Sequence, residues 1–438
     1  MALLGSGTRP RSSGAQYSGY MAVTPSRVAM VSMHTSPVAT AGSGDAGGMN
    51  VVILEVAKGL AARGVRVDLL TRASAAPAVA EIAEGVMLRE LAAGPPTVLP
   101  KSALPTVVDE FGEAVAALAR SADGGYDLIH AHYWLSGLAT LPVALEQGIP
   151  LVQSFHTIAA MKNRHLAAGQ SAEPELRVRT EMFLAGQAAA IIAGSAAIVP
   201  NLIDDVRAPA DRIWVIPPGV DVELFRPTRA VSAGERMRAK LGLADGRPVL
   251  VVAARIQPLK DQELAIRAFA EVHALRGWAP VLVLAGVETP GDEAYGRMLR
   301  ELAASLGVAD DVRFVGALSR PELADLFAMA SLTLVPSHSE TFGLVALESA
   351  ASGTPVVGYN TGGLVEAISD GVSGVLVDSR DPREWASEIA LLLSDQRRLE
   401  SLQFSARHHA LGFTWGATTT ALLGVYAGLQ AASQSGRP

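Results

Sequence analysis

Two basic side chains and two carboxylates in the second half of the chain have the types and spacing of a site for phosphates and hydroxyl groups. Arg255 follows an apolar run, and Lys260 comes five residues later, just before a helical pattern. A guanidinium and an ammonium on one loop suit a diphosphate. Glu340 and Glu348 enclose seven residues, and carboxylates accept hydrogen bonds from sugar and ribose hydroxyls. Either pair alone would be typical of an exposed surface, so the prediction depends on their combination.

The segment around the two glutamates also predicts a helix whose start can bind an anion. Gly343 precedes an Ala- and Leu-rich pattern, and Gly353 can end it. The first N–H groups of a helix have no partner inside the helix and attract phosphate oxygens. Together with the four charged residues, this segment predicts a nucleotide-sugar site.

A glycine-rich loop links the first predicted strand to the first predicted helix. Residues 44–50 read GDAGGMN, and Gly44, Gly47 and Gly48 let a ligand approach the backbone closely. The following helix start favours an anion. The loop is longer than the dinucleotide-binding fingerprint, and no acidic residue ends the second predicted strand. The alternative is a flexible turn in which Asp45 caps the helix.

Polar side chains follow two more predicted strands of the first half. His130, His132 and Tyr133 end one strand, and His156 and Thr157 follow the next. Ligands of open parallel sheets bind at the carboxyl ends of the strands, so the shared placement favours a binding role. Each histidine alone is more typical of a hydrogen-bonded structural group. A zinc site made by His130 and His132 is a further alternative, but no carboxylate lies at a familiar spacing.

Twelve short apolar runs that could form strands alternate with helical patterns along the chain. They lie at residues 27–33, 65–71, 127–132, 150–155, 190–194 and 212–218 in the first half, and at 248–256, 280–287, 312–316, 332–337, 355–359 and 374–378 in the second. This alternation predicts parallel sheets with helical crossovers. Twelve strands are too many for one small sheet. We therefore expect an α/β protein with two Rossmann-like domains that face an interdomain cleft.

Proline and glycine at residues 217–227 predict the boundary between the two domains. We expect a disordered tail at 1–26, an acceptor-binding domain at 27–217 and a nucleotide-sugar-binding domain at 218–412. A final helix is expected at 413–430. Its spacing is compatible with a helix that crosses back to the first domain and with an ordinary terminal core helix.

The composition excludes several classes of protein. The 438 residues carry 36 basic and 43 acidic side chains, a net charge of −7, without a long run of one sign. This argues against nucleic acid or an anionic membrane as the main partner. The chain has no cysteine, which excludes disulfides and thiolate metal sites and fits a cytoplasmic location. No apolar run is long enough to span a membrane.

The combined pattern resembles the retaining glycosyltransferases with the GT-B architecture, in the glycogen-synthase-like and sucrose-synthase-like group. The resemblance covers residues from about 27 to 430. The segments VAMVSMHTSP, GDAGGMNV, LIHAHYWLSG, HTIAAMKN, PGVDVELF, RIQPLKD and SGTPVV are more similar still to the D-inositol 3-phosphate glycosyltransferases. That family implies transfer of N-acetylglucosamine from UDP-N-acetylglucosamine to 1D-myo-inositol 3-phosphate, the first step of mycothiol biosynthesis.

The resemblance also implies roles for individual residues. The acceptor would be bound by His34, Asp45, Ala46, Gly47, Gly48, Met49, Asn50, Lys101, Tyr133, Thr157 and Arg177. The donor would be bound by Gly48, Arg255, Lys260, Glu340 and Glu348, and catalysis would involve Arg255, Lys260, His156 and Glu340. A Mg²⁺ ion would lie near Phe327, Ala328, Ala330 and Thr354. No organic cofactor is implied, and the family expectation is a cytoplasmic homodimer.

Three other functions are compatible with parts of the pattern. A glycosyltransferase of the same group could use a lipid or sugar acceptor, but a lipid acceptor favours a basic amphipathic helix and residues 106–120 are acidic. A sugar-nucleotide epimerase or hydrolase would not need a separate pocket for an acceptor phosphate. A nucleotide-sugar-binding protein without activity would not need the intact set of arginine, lysine and glutamates.

Overall fold

The computed structural model describes residues 24–40, 45–121, 125–164, 166, 171–227, 230–243, 246–275, 280–289 and 291–434. Gly44 and residues 1–23 of the predicted tail lie outside these described ranges. The described chain forms two sheets with helices on both faces of each.

The first sheet has eight strands in the order β3-β4-β2-β1-β5-β6-β7-β8. Their bounds are β1 Arg27–Val31, β2 Arg66–Arg72, β3 Ala78–Ala83, β4 Val86–Leu91, β5 Leu128–His132, β6 Leu151–Ser154, β7 Ala190–Ala193 and β8 Ile213–Val215. All neighbours are parallel except β3, which runs antiparallel to β4. The strand order reverses at β1, which pairs with both β2 and β5. A crevice for ligands is expected at this switch point.

The β3–β4 hairpin differs from the expectation of six strands in this half. Residues 78–83 read AVAEIA and are mostly exposed, without the β-branched run of a buried strand. Gly85, with a φ of 74°, makes the turn. Because the side chains of this edge strand are largely exposed, it needs no apolar pattern, and the apolar periodicity does not reveal it.

The second sheet has six parallel strands in the order β11-β10-β9-β12-β13-β14. Their bounds are β9 Val249–Ala253, β10 Val281–Ala285, β11 Val312–Gly316, β12 Leu332–Val335, β13 Val356–Tyr359 and β14 Gly374–Val377. The twelve predicted runs coincide with twelve of the fourteen strands. The predicted α/β class with two Rossmann-like sheets is therefore confirmed.

The helices cover both faces of each sheet and alternate with the strands. In the first half they are α1 Gly48–Ala61, α2 Val108–Ala119, α3 Trp134–Gln147, α4 Ala159–Arg164, α5 Glu175–Gln187 and α6 Val199–Asp204. The rest are α7 Ala230–Lys240, α8 Gln262–His273, α9 Glu293–Ser305, α10 Arg320–Met329, α11 Leu344–Ala351, α12 Leu364–Ala367, α13 Pro382–Ser394, α14 Gln396–Ala410 and α15 Trp415–Gln434. Alternate residues of one strand pack on opposite faces: Val28 belongs to a core with α1, and Ala29 belongs to a core with α2.

The last helix, α15, packs on α1 of the first sheet although it follows the second sheet in the chain. Leu422 and Tyr426 share a core with Val56 of α1. A Cβ atom at Gly59 would lie 2.3 Å from the Thr419 hydroxyl, so the two helices approach closely because Gly59 has no side chain. Among the described residues, no helix has both the length and the apolar character needed to cross a membrane.

Candidate functional site in the cleft

Two adjacent cavities lie between the sheets, and residues of both halves line each of them. The larger has a volume of about 470 Å³, and its lining includes Arg255 and Glu348. The smaller has a volume of about 250 Å³, and its lining includes Lys101. The two cavities share Gly47, Gly48, Arg255, Lys260, Glu340, Gly343 and Leu344. Groups bound in the two cavities would therefore meet at this shared wall.

Lys260 and Glu340 are joined by an ion pair at the shared wall. Lys260 ends a short 3-10 turn between β9 and α8, and Asp261 follows it with a left-handed φ of 47°. The Asp261 carboxylate accepts a hydrogen bond from the Leu264 N–H at 3.1 Å and pairs with Arg380. Aspartate tolerates left-handed geometry better than most residues. This partly buried network holds the loop that presents the Lys260 ammonium to the cleft.

Arg255 lies two residues beyond β9 and reaches across the cleft to the first domain. Its Nη1 atom is 3.4 Å from Oδ1 of Asp45, which follows β1 in the first domain. The Lys101 ammonium lies 3.6 Å from the same oxygen. The Arg255 backbone is also fixed, because its carbonyl accepts a hydrogen bond of 2.8 Å from Gln262. One carboxylate thus contacts a cation from each side of the cleft.

The N-termini of helices α1 and α11 also meet at the cleft. A Cβ atom at Gly48, the first residue of α1, would lie 3.1 Å from Cδ1 of Leu344, the first residue of α11. Gly343 caps α11 with a φ of 107°, which favours glycine. Gly47, and not Asp45, is the N-cap of α1. Both helices therefore point their unpaired N–H groups and positive dipole ends toward the same region.

Glu348 is buried inside α11 at the wall of the larger cavity and is 8% exposed. The nearest cation, Arg320, places Nη1 3.5 Å from its carboxylate. Burial raises the pKa of Glu348 to about 7; Arg320 opposes this shift and Asp221 adds to it. The ionised carboxylate is poorly solvated, so hydroxyl donors of a ligand would be favourable partners.

A cluster around Tyr133 forms the far wall of the smaller cavity. The Tyr133 ring lies 4.9 Å from the Lys101 ammonium, 4.7 Å from the Arg177 guanidinium carbon and 4.3 Å from the His34 ring. Arg177 donates a hydrogen bond of 2.8 Å to the Thr157 hydroxyl. Burial, followed by the charge of Lys101, holds the pKa of His34 well below its ordinary value. Two cations, two hydroxyl groups and a neutral imidazole suit a phosphorylated polyol.

Two glutamates hold Arg177 in place beneath this cluster. Arg177 is 1% exposed, and its Nε donates to Glu181 at 2.7 Å. Its Nη1 lies 2.8 Å from Glu173, which also pairs with Lys162. The i−4 and i+4 spacing of these glutamates is a signal in the sequence that indicates a fixed guanidinium. Arg320 had no such signal, because 28 residues separate it from Glu348.

The remaining residues of the glycine-rich loop have mixed positions. Ala46 is buried, and Met49 lines the smaller cavity. Asn50 is buried, and its amide nitrogen donates to the Ser36 carbonyl at 2.7 Å while its oxygen accepts from the Gly47 N–H at 3.0 Å. Asn50 therefore holds the shape of the loop and also lines the larger cavity, while Asp45 lines the smaller cavity and Gly48 lines both.

His156 lies at the wall of the smaller cavity with a left-handed φ of 58°. Its Nε2 is 2.8 Å from Nδ1 of His132, and burial lowers the pKa of His156 to about 4. The zinc alternative finds no support, because the ring nitrogens of His130 contact Tyr426 and Ser154. Within the described ranges, no group of three His, Cys, Asp or Glu side chains is arranged to hold a metal.

The residues named for Mg²⁺ lie at the C-terminal end of α10, away from both cavity linings. The Thr354 hydroxyl is 2.6 Å from the Phe327 carbonyl and 3.4 Å from the Ala330 carbonyl. Carbonyl and hydroxyl oxygens at a negative helix end fit a hard cation. These four residues include no carboxylate, so a cation at this place would be bound by neutral oxygens alone.

Comparison with known proteins shows similarity along most of the chain. Residues 234–409 match the family model for glycosyl transferases group 1, and residues 46–224 match the model for glycosyltransferase family 4. The D-inositol 3-phosphate glycosyltransferase of Thermobifida fusca is 44% identical over 411 residues, which cover 92% of this chain and 94% of that protein. The enzyme of the same name from Stackebrandtia nassauensis is 43% identical, with 92% of this chain and 91% of that protein covered.

Solved structures show the same architecture. Sucrose-phosphate synthase from Thermosynechococcus elongatus superposes with a TM-score of 0.85 at 30% identity, over 93% of this chain and 99% of that one. Anabaena HepE, solved in complex with UDP and glucose, superposes with a TM-score of 0.72 at 21% identity, over 90% of this chain and 97% of that one. The latter similarity bears on the fold alone.

Proposed function

This chain belongs to the D-inositol 3-phosphate glycosyltransferases, a family of GT-B enzymes, and we propose that it transfers N-acetylglucosamine from UDP-N-acetylglucosamine to 1D-myo-inositol 3-phosphate. In this family the reaction is the first step of mycothiol biosynthesis. The observation that carries the proposal is the Lys101 ammonium in a cavity that shares Lys260 and Glu340 with a second cavity, with the buried Arg177 guanidinium behind Tyr133 and Thr157 of its wall. This arrangement can bind a phosphorylated acceptor beside a nucleotide-sugar.

We assign the donor to the larger cavity. Arg255 and Lys260 would bind the diphosphate, together with the N–H groups at the start of α11. Glu348 would accept hydrogen bonds from the ribose hydroxyls, and Glu340 would contact the transferred sugar. Gly48 would let the diphosphate approach the backbone at the start of α1. The Lys260–Glu340 pair would then separate partly, because the diphosphate competes for the ammonium.

We assign the acceptor to the smaller cavity. Its phosphate would bind Lys101, Tyr133 and Thr157, and the buried Arg177 would add its positive charge from behind Tyr133 and Thr157. His34 and the loop at 45–50 would contact the inositol ring. The phosphate would fix the orientation of the ring, so that one hydroxyl group faces the shared wall. Orientation of this kind lowers the barrier because the reacting groups are already in place.

The chemistry proposed is front-face transfer with retention. The bond between the sugar carbon and the leaving phosphate breaks while an acceptor hydroxyl attacks from the same side, and the departing phosphate takes the hydroxyl proton. Arg255, Lys260 and the α11 N-terminus would stabilise the charge that grows on the phosphate. His156 would contact the sugar and exclude water, which reduces hydrolysis.

We propose that the reaction needs no organic cofactor, since the nucleotide-sugar is itself activated. A Mg²⁺ ion near Thr354 would be held by the carbonyls of Phe327, Ala328 and Ala330 and would stabilise the end of α10. A homodimer and a cytoplasmic location stay predictions, and sedimentation of the purified protein tests the first of them.

An acceptor screen tests the proposed function. Purified protein is incubated with UDP-N-acetylglucosamine and a panel of inositol, inositol phosphates, sugar phosphates and phosphoinositide lipid, and products are read by mass spectrometry. The expected product is N-acetylglucosaminyl-inositol phosphate. A product with another acceptor but none with inositol 3-phosphate would contradict the assignment, and UDP release without any glycoside would favour the hydrolase alternative.

A further inference from the structure

A row of three histidines, the buried His130 and His132 and the partly buried His156, runs from the C-terminal helix to the smaller cavity. His130 bonds to the Tyr426 hydroxyl of α15 at 2.6 Å and to the Ser154 hydroxyl at 2.9 Å. The His130 and His132 rings are in contact, with their centroids 4.1 Å apart and their planes tilted by 33°. His132 Nδ1 lies 2.8 Å from Nε2 of His156, which lines the smaller cavity.

The bonding partners of His132 decide where its proton lies. Its Nε2 is buried and has no hydrogen-bond partner among the described residues. A buried N–H without an acceptor is rarer and more costly than a lone pair without a donor. Nε2 of His132 is therefore unprotonated. The proton of this ring is on Nδ1, which donates a hydrogen bond to Nε2 of His156.

The proton of the neighbouring His156 ring is located by its contact with His132. Burial lowers the pKa of His156 to about 4 and holds the pKa of His132 well below its ordinary value, so both rings are neutral near pH 7. A neutral ring carries one proton, and His156 Nε2 is occupied as an acceptor. The His156 proton must therefore be on Nδ1.

The backbone of His156 is held independently of its ring. Its carbonyl accepts a hydrogen bond of 2.8 Å from the Thr341 hydroxyl, which belongs to the second domain and follows Glu340. The left-handed φ of 58° is uncommon for histidine and occurs where surrounding contacts enforce it. With backbone and ring both fixed, the direction of the remaining N–H is fixed as well.

We propose that His132 is a positioning residue that sets the tautomer of His156, so that His156 presents a fixed Nδ1–H donor to an oxygen of the transferred sugar. The identity of the sugar depends on the function proposed above, whereas the tautomer does not. In many active sites, the hydrogen bond made by one ring nitrogen of a histidine decides whether the other ring nitrogen, which contacts the ligand, is protonated.

Two nearly isosteric variants separate this role from simple packing. His132→Asn keeps an N–H donor near the position of Nδ1, whereas His132→Leu fills similar space without one. We expect His132→Leu to lower kcat about 10- to 100-fold, the value of one hydrogen bond to the reacting group, and His132→Asn to stay within about fivefold of the wild type. The KM for inositol 3-phosphate should change less than twofold in both. A packing role predicts the opposite order, since leucine suits a buried site better than asparagine.

Nitrogen-15 NMR of histidine-labelled protein measures the tautomer without substrate or turnover. The signals of His156 are assigned by their loss in His156→Gln. The proposal expects a protonated Nδ1 and an unprotonated Nε2 in the wild type and in His132→Asn, and a ring protonated mainly on Nε2 in His132→Leu. A protonated Nε2 in the wild type would overturn it, even if the variants fail to fold. Absence of transfer to inositol 3-phosphate would instead count against the proposed function and leave the tautomer result standing.

Discussion

The guanidinium of Arg255 lies 3.4 Å from the carboxylate of Asp45, on the opposite side of the cleft. Lys101 approaches the same carboxylate to 3.6 Å. The Asp45 carboxylate therefore contacts both Arg255, which we assign to the donor, and Lys101, which we assign to the acceptor. The phosphates of the two substrates would compete with this carboxylate for the two cations, so substrate binding would exchange these ion pairs for new ones.

Loss of the Lys101 ammonium should weaken acceptor binding selectively. We expect Lys101→Ala to raise the KM for inositol 3-phosphate about 10- to 100-fold, because a hydrogen bond to a charged group contributes roughly 1.5–3 kcal/mol. The KM for UDP-N-acetylglucosamine should change little. Initial rates with each substrate varied in turn measure both constants.

Lys58 provides the control, since its side chain is 44% exposed, against 42% for Lys101, and it lies on α1 outside both cavities. Lys58→Ala should leave both KM values unchanged. A rise in donor KM in Lys101→Ala equal to the rise in acceptor KM would contradict the assignment of the two cavities.

Loss of the Lys260 ammonium should lower turnover with every acceptor. We expect Lys260→Ala to reduce kcat about 100- to 1,000-fold, because one preorganised group that stabilises developing charge is worth about that much. The exposed pair of Lys240 and Glu322, at 2.6 Å, is the matched control for the Lys260–Glu340 pair. Lys240→Ala should keep wild-type kcat, and a Lys260→Ala enzyme with normal kcat would remove the lysine from the mechanism.

Burial of Glu348 should make stability depend on pH. Burial raises its pKa from the ordinary value of 4.5 to about 7, so the folded protein holds this proton more tightly than the unfolded chain. The stability from Glu348 is thus fully present below about pH 4.5 and is lost as the pH rises through 7. Glu348→Gln should be more stable than the wild type by about 2–3 kcal/mol at pH 8, with no gain near pH 4.5.

Thermal unfolding at both pH values measures this difference, and the same variant should raise the donor KM. Glu223→Gln is the control, because its side chain is 84% exposed. An equal shift in Tm at the two pH values would show that burial of the Glu348 charge is not the cause.

The Tyr426 hydroxyl should contribute to stability and not to substrate binding. Tyr426→Phe leaves Nδ1 of the buried His130 without its partner at 2.6 Å, which costs about 1–3 kcal/mol. We expect a lower Tm and unchanged KM values for both substrates. Tyr359→Phe is a comparison at a partly buried ring on β13. A wild-type Tm for Tyr426→Phe would mean that water replaces the hydroxyl without loss.

Much of the fold is readable from the sequence because buried parallel strands are continuous apolar runs. Strand β9, with VLVVA, and strand β10, with VLVLA, are examples. The β3–β4 hairpin is not readable, because its exposed strand follows no apolar pattern. The packing of α15 on α1 is equally hidden, since it depends on the absence of a side chain at Gly59, far away in the chain.

The charged residues of the cleft are readable as types, but their partners are not. Arg255 and Lys260 stand out by their spacing after a strand, yet nothing in the sequence pairs Arg255 with Asp45, 210 residues earlier. The same is true of the contact between Thr341 and His156. Contacts between domains depend on how two sheets are placed, and local patterns carry no information about that placement.

The preference for a phosphorylated acceptor tests whether the smaller cavity binds the acceptor through its phosphate. With UDP-N-acetylglucosamine as donor, kcat/KM is measured for 1D-myo-inositol 3-phosphate and for myo-inositol. Charge-assisted bonds to the phosphate from Lys101, Tyr133 and Thr157, strengthened by the charge of the buried Arg177, predict a preference of about 10³-fold or more for the phosphorylated acceptor. Equal kcat/KM values for the two acceptors would show that the smaller cavity does not bind the acceptor through its phosphate.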